Sequence, residues 1–418
     1  MILPDGFTAS VLAAESIADV RVLLNGPAGC RNRYMVLVRQ LFPREKPDDN
    51  RFQIPYFKGQ SRVPCTYIDE DDFINGGSGK VTDALKVIKS VCEDTIVIID
   101  SPGSALIGDD HGKSVSDAGM EGKAFALGGT LISMGFPESY DSTLRRIIEA
   151  VGPQKCDTIP RSVNIIGYPM TDKDWRHGLD HLRELLEAMG LTMTAAIGAG
   201  ASLEDIRSST GAEANIIVYP EFAEEVSEYM ERVHGIPSVR SPMGAPVGID
   251  GTVAWVEAVA EALNVDPSPA LEICNRARGM IKEAILGDTF RSKALQGMTF
   301  CIEGLPSMTY PLTVWLNGYL GMVPASIINH GGDGPCSEDL ESYLESRGLE
   351  SVLGADLPDY CDVMITNGHD ALHLQENRRC GVGIDLTFPS TREIVLLPKP
   401  AVGVLGSMYI VEEILNSM

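Results

Sequence analysis

Positive charge is scarce in this chain: 34 Lys and Arg stand against 58 Asp and Glu over 418 residues, a formal net charge of −24. A phosphate backbone needs a basic stripe to release its counterions, so nucleic acid is excluded as the expected partner. No apolar run reaches the roughly 20 residues that cross a bilayer, and Met1–Val20 has neither the basic start nor the long apolar core of a signal peptide. The expectation is a cytoplasmic protein with no membrane partner. The nine cysteines nowhere form a CxxC pair, and their number is odd. In a reducing compartment they are not a disulfide framework, so any metal site has to be assembled from residues distant in sequence. A Walker A loop is also missing. Gly76-Gly77-Ser78-Gly79-Lys80 resembles one but lacks the first spaced glycine and a following Ser or Thr, which leaves any ATP hydrolysis to a partner.

What is present is the balance of a globular protein, 44% hydrophobic and 22% charged, in a chain too long for one core. Short β-branched runs recur at residues 20–24 (VRVLL), 96–99 (IVII), 163–166 (VNII), 215–218 (NIIV) and 362–366 (DVMIT), and read as buried parallel strands. Helical patterns follow them, such as Ala84–Val91 and Asp174–Met189. Alternating β and α units predict parallel sheets flanked by helices. At ~120–150 residues per sheet, three sheets fill the chain. Breaks at Gly152–Arg161 and Val265–Pro269 predict three α/β domains, 1–158, 159–268 and 269–418, with GMTFCI (297–302) opening the third unit and the helix after the second break crossing back between domains.

The sharpest motif is Asn25-Gly26-Pro27-Ala28-Gly29-Cys30, directly after a strand. Glycines flanking a proline make a tight turn at the carboxyl end of the strand, where open α/β sheets place their ligands. Gly29 removes bulk beside the thiol, and Arg31 and Arg33 supply positive charge that favours the thiolate. The plainer reading is a phosphate loop or a turn with a buried cysteine. Two further segments reach the same sheet edge: Val63-Pro64-Cys65-Thr66 before the acidic DDFINGG (71–77), and SPGSALIGDD (101–110) after a strand.

Other candidates have plainer readings beside them. His177 and His181, four apart on a helix, are a possible metal pair without a third ligand. His330, in the loop His330-Gly331-Gly332-Asp333-Gly334-Pro335-Cys336, is a candidate cleft residue or part of a glycine-rich loop. His369, with His373 at helical spacing, is another cleft candidate. Asp109 and Asp110 either cap the helix that follows them or form a proton-delivering pair. Cys156, Cys274, Cys301, Cys361 and Cys380 read as structural.

Taken in order, GPAGC, Cys65 before DDFINGG, and SPGSALIGDD resemble the three cluster-binding loops of the nitrogenase component 1 family. The likeness continues through SLEDI (202–206), NIIVYPEFAEEVSEYMERVHGIP (215–237), PVGIDGTVAWVEAVAEAL (246–263), residues 362–390 and the closing VLGSMYIVEEILNSM. It implies three Rossmann-like domains, each a parallel sheet flanked by helices, around a central cleft. It also implies an iron–sulfur cluster, expected as [4Fe–4S], held by Cys30 and Cys65.

Two departures shape the functional expectation. Where the family carries a third cysteine this chain has Ser101 or Pro102, leaving two matched thiols where a [4Fe–4S] cluster takes four thiolates. A two-fold dimer supplying Cys30 and Cys65 twice is the preferred solution. Ser101 as an oxygen ligand, Cys92 from a helix end, or a different, paralogous partner subunit with more cysteines are alternatives. In addition, Tyr219 stands where the family's molybdenum–iron cofactor has its cysteine ligand, and no histidine fits the ligand near the carboxyl terminus. The resemblance therefore implies an oxidoreductase for a small-molecule substrate other than dinitrogen, as in relatives that reduce tetrapyrroles, with electrons from an ATP-dependent iron–sulfur reductase partner. A cofactor-assembly scaffold and a metal-free α/β binding protein are the rivals.

Overall fold

A computed structural model describes residues 5–31, 63–129, 131–287, 295–331, 334–390 and 395–418. The chain parts into two compact units, residues 1–154 with 200–208, and residues 155–199 with 209–418.

The first unit contains a parallel sheet in the order β1-β2-β3, with β1 at Val20–Asn25, β2 at Thr95–Asp100 and β3 at Ala124–Leu127. β1 and β2 pair in register from Val20 opposite Thr95 to Asn25 opposite Asp100, so their carboxyl ends finish level. Every β1 residue is buried, Arg21 and Asn25 included, as in a parallel strand covered on both faces. Helix Ser78–Lys89 turns Val81, Ala84, Leu85 and Ile88 inward, onto a core with Leu23, Ile96 and Ile98. Helix Gly6–Glu15 is buried at every position and packs on β1 and on helix Phe136–Val151.

The second unit contains two four-stranded parallel sheets. One has the order β5-β4-β6-β7, from β4 (Ser162–Ile166), β5 (Thr192–Ala196), β6 (Ala214–Ile217) and β7 (Ser238–Val239). The other has the order β11-β10-β8-β9, from β8 (Thr299–Gly304), β9 (Val323–Asn329), β10 (Cys361–Asn367) and β11 (Cys380–Thr387). Three parallel sheets flanked by helices are thus present, as the alternating pattern predicts. The indole of Trp255, on helix Gly248–Leu263, donates to the Ile217 carbonyl at 2.9 Å and pins that helix to the end of β6. Helix Ser268–Leu286, expected to cross back, packs on helices Trp175–Ala188 and Gly403–Ser417. Among the described residues no helix is long and apolar enough to cross a membrane.

The apolar pattern starts one helix at Ala84, yet it begins at Ser78. Its start is fixed from afar. The Asp109 carboxylate accepts the Gly77 N–H at 2.9 Å and the Ser78 hydroxyl at 2.9 Å, satisfying donors that a helix leaves unpaired in its first turn. Asp109→Ala is expected to weaken this helix start by about 1 kcal/mol, read as roughly five-fold faster amide hydrogen exchange over the first turn. Unchanged exchange there would show that the cap contributes nothing.

Candidate functional site

The end of β1 is paired on both sides. On one side Leu24 N–H donates to the Pro64 carbonyl at 2.9 Å, Thr66 N–H to the Leu24 carbonyl at 3.1 Å, and Ile68 N–H to the Gly26 carbonyl at 3.0 Å. These bonds make a short parallel bridge that sets Cys65 beside Leu24. On the other side Ser101 N–H donates to the Asn25 carbonyl at 2.8 Å. Side chains knit the same three segments together. The Gly26 N–H donates to Thr66 Oγ1 at 3.0 Å, which donates to Asn25 Oδ1 at 2.9 Å, while Asn25 Nδ2 donates to Asp100 Oδ1 at 2.7 Å. His111 Nε2 meets both oxygens of Asp100, at 2.8 and 3.0 Å. The three loops singled out from the sequence therefore converge on one sheet edge. Gly26 is required there, because a Cβ on it would sit 2.8 Å from the Ser101 side chain.

Cys65 has no exposed surface, and its thiol donates to the Gly26 carbonyl at 3.0 Å. Burial pushes this thiol above its ordinary pKa. The Tyr67 amide and the Arg31 guanidinium pull it down, nearby Cys30 adds to the rise, and burial prevails. Arg31 thus acts in the expected direction without making Cys65 a thiolate by itself; Arg33 lies outside the described residues. Arg31 also donates to the Tyr67 hydroxyl at 2.9 Å. Cys30 is half-buried on a helical turn at residues 28–31. Among the described residues a Cβ on Gly29 would meet nothing within 4 Å. Two cysteines on loops bonded together at one sheet edge, one acting on the titration of the other, are donors of the type an iron–sulfur cluster takes.

Ser101 is fully buried, and its hydroxyl lies 2.7 Å from that of Ser104. Cys92 is a correction: it precedes the amino end of β2, about 20 Å along the strand from the carboxyl edge, and its thiol faces Asp94 at 3.6 Å. Asp109 and Asp110 both cap helices. Asp110 accepts the Lys113 N–H at 3.0 Å in the helix that follows, whereas Asp109 reaches a different helix from the one expected. Among the described residues no group of three or more His, Cys, Asp and Glu could hold a metal ion.

The remaining candidates separate in the second unit. His177 pairs with Asp174 at 2.8 Å, while buried His181 pairs with Glu184 at 2.8 Å and accepts the Val404 N–H at 3.3 Å, so they form no metal pair. His330, at the carboxyl end of β9, meets Glu303 at 2.7 Å, and that hydrogen bond raises its pKa; Gly332 and Asp333 lie outside the described residues. The rings of His369 and His373 stack at 6.4 Å. Cys274, Cys301, Cys361 and Cys380 are buried, but Cys156 is exposed and so is not a core residue. Sequence reasoning missed one constellation altogether: the Tyr219 hydroxyl donates to Asp172 at 2.9 Å, beside Tyr168. The partners lie far apart in sequence, so no local pattern announces them.

The family model for nitrogenase component 1 type oxidoreductase matches residues 6–418. A light-independent protochlorophyllide reductase subunit of Methylobacterium sp. (strain 4-46) is 37% identical over 111 residues, 27% of this chain and 21% of that protein. Its namesake from Heliobacterium modesticaldum is 26% identical over 259 residues, 61% of this chain and 46% of that one. The matches thus span between a fifth and a half of these relatives' length. The solved structure of nitrogenase Cp1 at pH 6.5 superposes with a TM-score of 0.76 at 17% identity, covering 100% of this chain and 93% of that one. At that identity the likeness concerns the fold.

The His111–Asp100 contact sets a pH dependence. Burial acts to lower the imidazole's pKa, but the hydrogen bond to Asp100 and the charges of Asp100, Asp109 and Asp110 outweigh it and hold it above the ordinary value. A raised folded-state pKa stabilises the protein fully below the unfolded value of about 6.5, and that contribution is lost as pH rises through the folded value. Denaturation of the first unit is therefore expected to become easier above about pH 6.5, and less steeply so in His111→Gln. Parallel pH profiles for the two proteins would refute the assignment.

Proposed function

This chain belongs to the nitrogenase component 1 type oxidoreductases, matched over residues 6–418, and from that premise we propose that it carries an iron–sulfur cluster and reduces a small molecule other than dinitrogen. The observation that carries the reading is that the loops bearing Cys30 and Cys65 are hydrogen-bonded to one another at the carboxyl edge of the first sheet. Cys30 and Cys65 are the proposed metal ligands, with Ser101 in the cofactor-binding set. A [4Fe–4S] cluster takes four thiolates, so these two form half a site and a second chain supplies the rest. An identical chain across a two-fold axis is the simplest source, and a paralogous subunit is the other. Bound there, the cluster supplies one-electron transfer.

The protein's own residues prepare that site. The Cys65 thiol is kept protonated by burial and gives its hydrogen to Gly26. Ligation has to remove this proton, so cluster loading releases protons and weakens at low pH. Arg31 favours the thiolate once the proton has gone. With no Walker A loop in the sequence, ATP hydrolysis belongs to an iron–sulfur reductase partner. The substrate class is argued from Tyr219, which is a tyrosine where the resemblance places a metal-ligating cysteine, and from the names of the protochlorophyllide reductase relatives. The first argues against dinitrogen, and the second favours a tetrapyrrole. A cytoplasmic location and the division into three domains, 1–158, 159–268 and 269–418, each with one sheet, belong to the same proposal.

Replacing Cys30 or Cys65 by Ala is expected to reduce iron and sulfide in anaerobically purified protein to background, with the circular dichroism of the fold retained. Full iron content and visible absorption in either variant would sink the ligand assignment. Reduction of protochlorophyllide with the reductase partner separates an enzyme from a scaffold that hands its cluster on.

A further inference from the structure

The loops that follow β4 and β6 press together at the carboxyl edge of the second sheet. Gly167 has a positive φ of 67°, and a Cβ there would lie 2.5 Å from the Tyr219 carbonyl, so only glycine allows the approach. Tyr168 and Tyr219, 1% and 3% exposed, lie with their rings parallel at 6.4 Å. The Tyr219 hydroxyl donates to Asp172 Oδ1 at 2.9 Å, and the Tyr168 hydroxyl donates to the Trp175 carbonyl at 3.2 Å. Asp172 Oδ2 is buried and has no hydrogen-bond partner among the described residues.

Neighbouring charges do not neutralise this carboxyl. The Lys173 ammonium turns to Asp385 at 3.5 Å and lies 5.1 Å from the Tyr409 ring centre. Asp174 is engaged by His177 and by the Lys399 N–H at 2.8 Å, and Glu221 by Ser307. Burial lifts Asp172 to about 7, against the opposing hydrogen bonds from Tyr219 and the Lys173 amide, with Asp174 adding to the rise; the Tyr168 hydroxyl proton is given to Trp175 instead. A buried oxygen without a partner costs on the order of 1–3 kcal/mol. A proton on Oδ2 facing an acceptor on a bound molecule removes that cost. Carboxyl ends of parallel strands are where open α/β sheets bind ligands.

We propose that Asp172 is the carboxylic acid that protonates the substrate during its reduction, and that Tyr219 positions it. This rests on the reductive function proposed above. The Oδ2–H bond breaks and a C–H bond forms on the substrate, whose electrons come from the reductase partner. The remaining carboxylate is held by the Tyr219 hydroxyl and the Lys173 amide, and regains a proton from solvent. Reduction of one double bond takes two electrons, from the reductase partner, and two protons, one from Asp172 and the other from solvent.

The test uses the cluster-loaded protein with its reductase partner and protochlorophyllide as the probe. Asp172→Asn is expected to lower kcat by about 10²-fold or more, with KM and iron content unchanged. The wild-type rate falls as pH rises through about 7, because the acid form is consumed. Tyr219→Phe moves that limb to higher pH, since it removes a hydrogen bond that favours the carboxylate. Infrared difference spectra provide a readout without turnover: a carboxylic acid band present at low pH and absent in Asp172→Asn. A wild-type kcat and pH profile in Asp172→Asn, or the lack of an Asp172-dependent band, overturns the proposal. A wild type that takes up electrons yet reduces no tetrapyrrole overturns the functional reading and the donor role with it. A persisting band then separates that failure from a misplaced proton.

Discussion

Asn25 is the residue on which the candidate cluster site depends. It is fully buried at the last position of β1, where its side chain has to satisfy both an amide donor and a carbonyl acceptor without water. It does so by reaching both ways, accepting from Thr66 at 2.9 Å and donating to Asp100 at 2.7 Å. The segment carrying Cys65 and the strand end before Ser101 are thereby fixed to one side chain. Moving either loop leaves a buried polar group unpaired, at a cost on the order of 1–3 kcal/mol each. The thiol of Cys65 is consequently held in place before any ligand arrives, which is what a preorganised site requires.

Burial then decides the protonation of that site, and it does not always win. Cys65 is close to a positive charge and still keeps its proton, because desolvation of a thiolate outweighs Arg31. His111 is also desolvated, yet three carboxylates and a direct hydrogen bond reverse the outcome and favour the cation. The difference lies in distance and number: one guanidinium, itself turned toward Tyr67, against an ion pair at 2.8 Å with further acidic groups around it. Asp172 repeats the Cys65 case, with hydrogen bonds from its neighbours too weak to offset burial. Cys65 and Asp172 therefore both hold protons that the proposed chemistry would have to move.

The fold was legible where burial is uniform and contacts are local. The β-branched runs at 20–24 and 96–99 became β1 and β2 with one residue added at one or both ends, because a strand covered on both faces has a continuous apolar signature. The start of helix Ser78–Lys89 was not legible, since its cap comes from Asp109 across the unit. Helix Gly6–Glu15 lacks a polar face because it is buried all round, so periodicity had nothing to mark. Cys30 and Cys65 were legible only through the order of three loops, each weak alone. The Asp172–Tyr219 contact joins two strand-end loops, and only folding makes that pair.

The shortage of ligands at the first sheet also has a packing basis. The resemblance puts Ser101 or Pro102 where the family carries a cysteine, and the Ser101 side chain is packed against the Gly26 backbone with its hydroxyl matched to Ser104 at 2.7 Å. A thiol there would place a larger atom against Gly26 and exchange a good hydrogen bond for a poor one. Ser101 thus also holds the loop together. The first unit's remaining cysteine, Cys92, lies at the opposite edge of the sheet. If Cys30 and Cys65 hold a cluster that takes four thiolates, as proposed, the missing ligands come more readily from a second chain than from a rearrangement of this unit, because a rearrangement would have to break the hydrogen-bonded chain through Asn25.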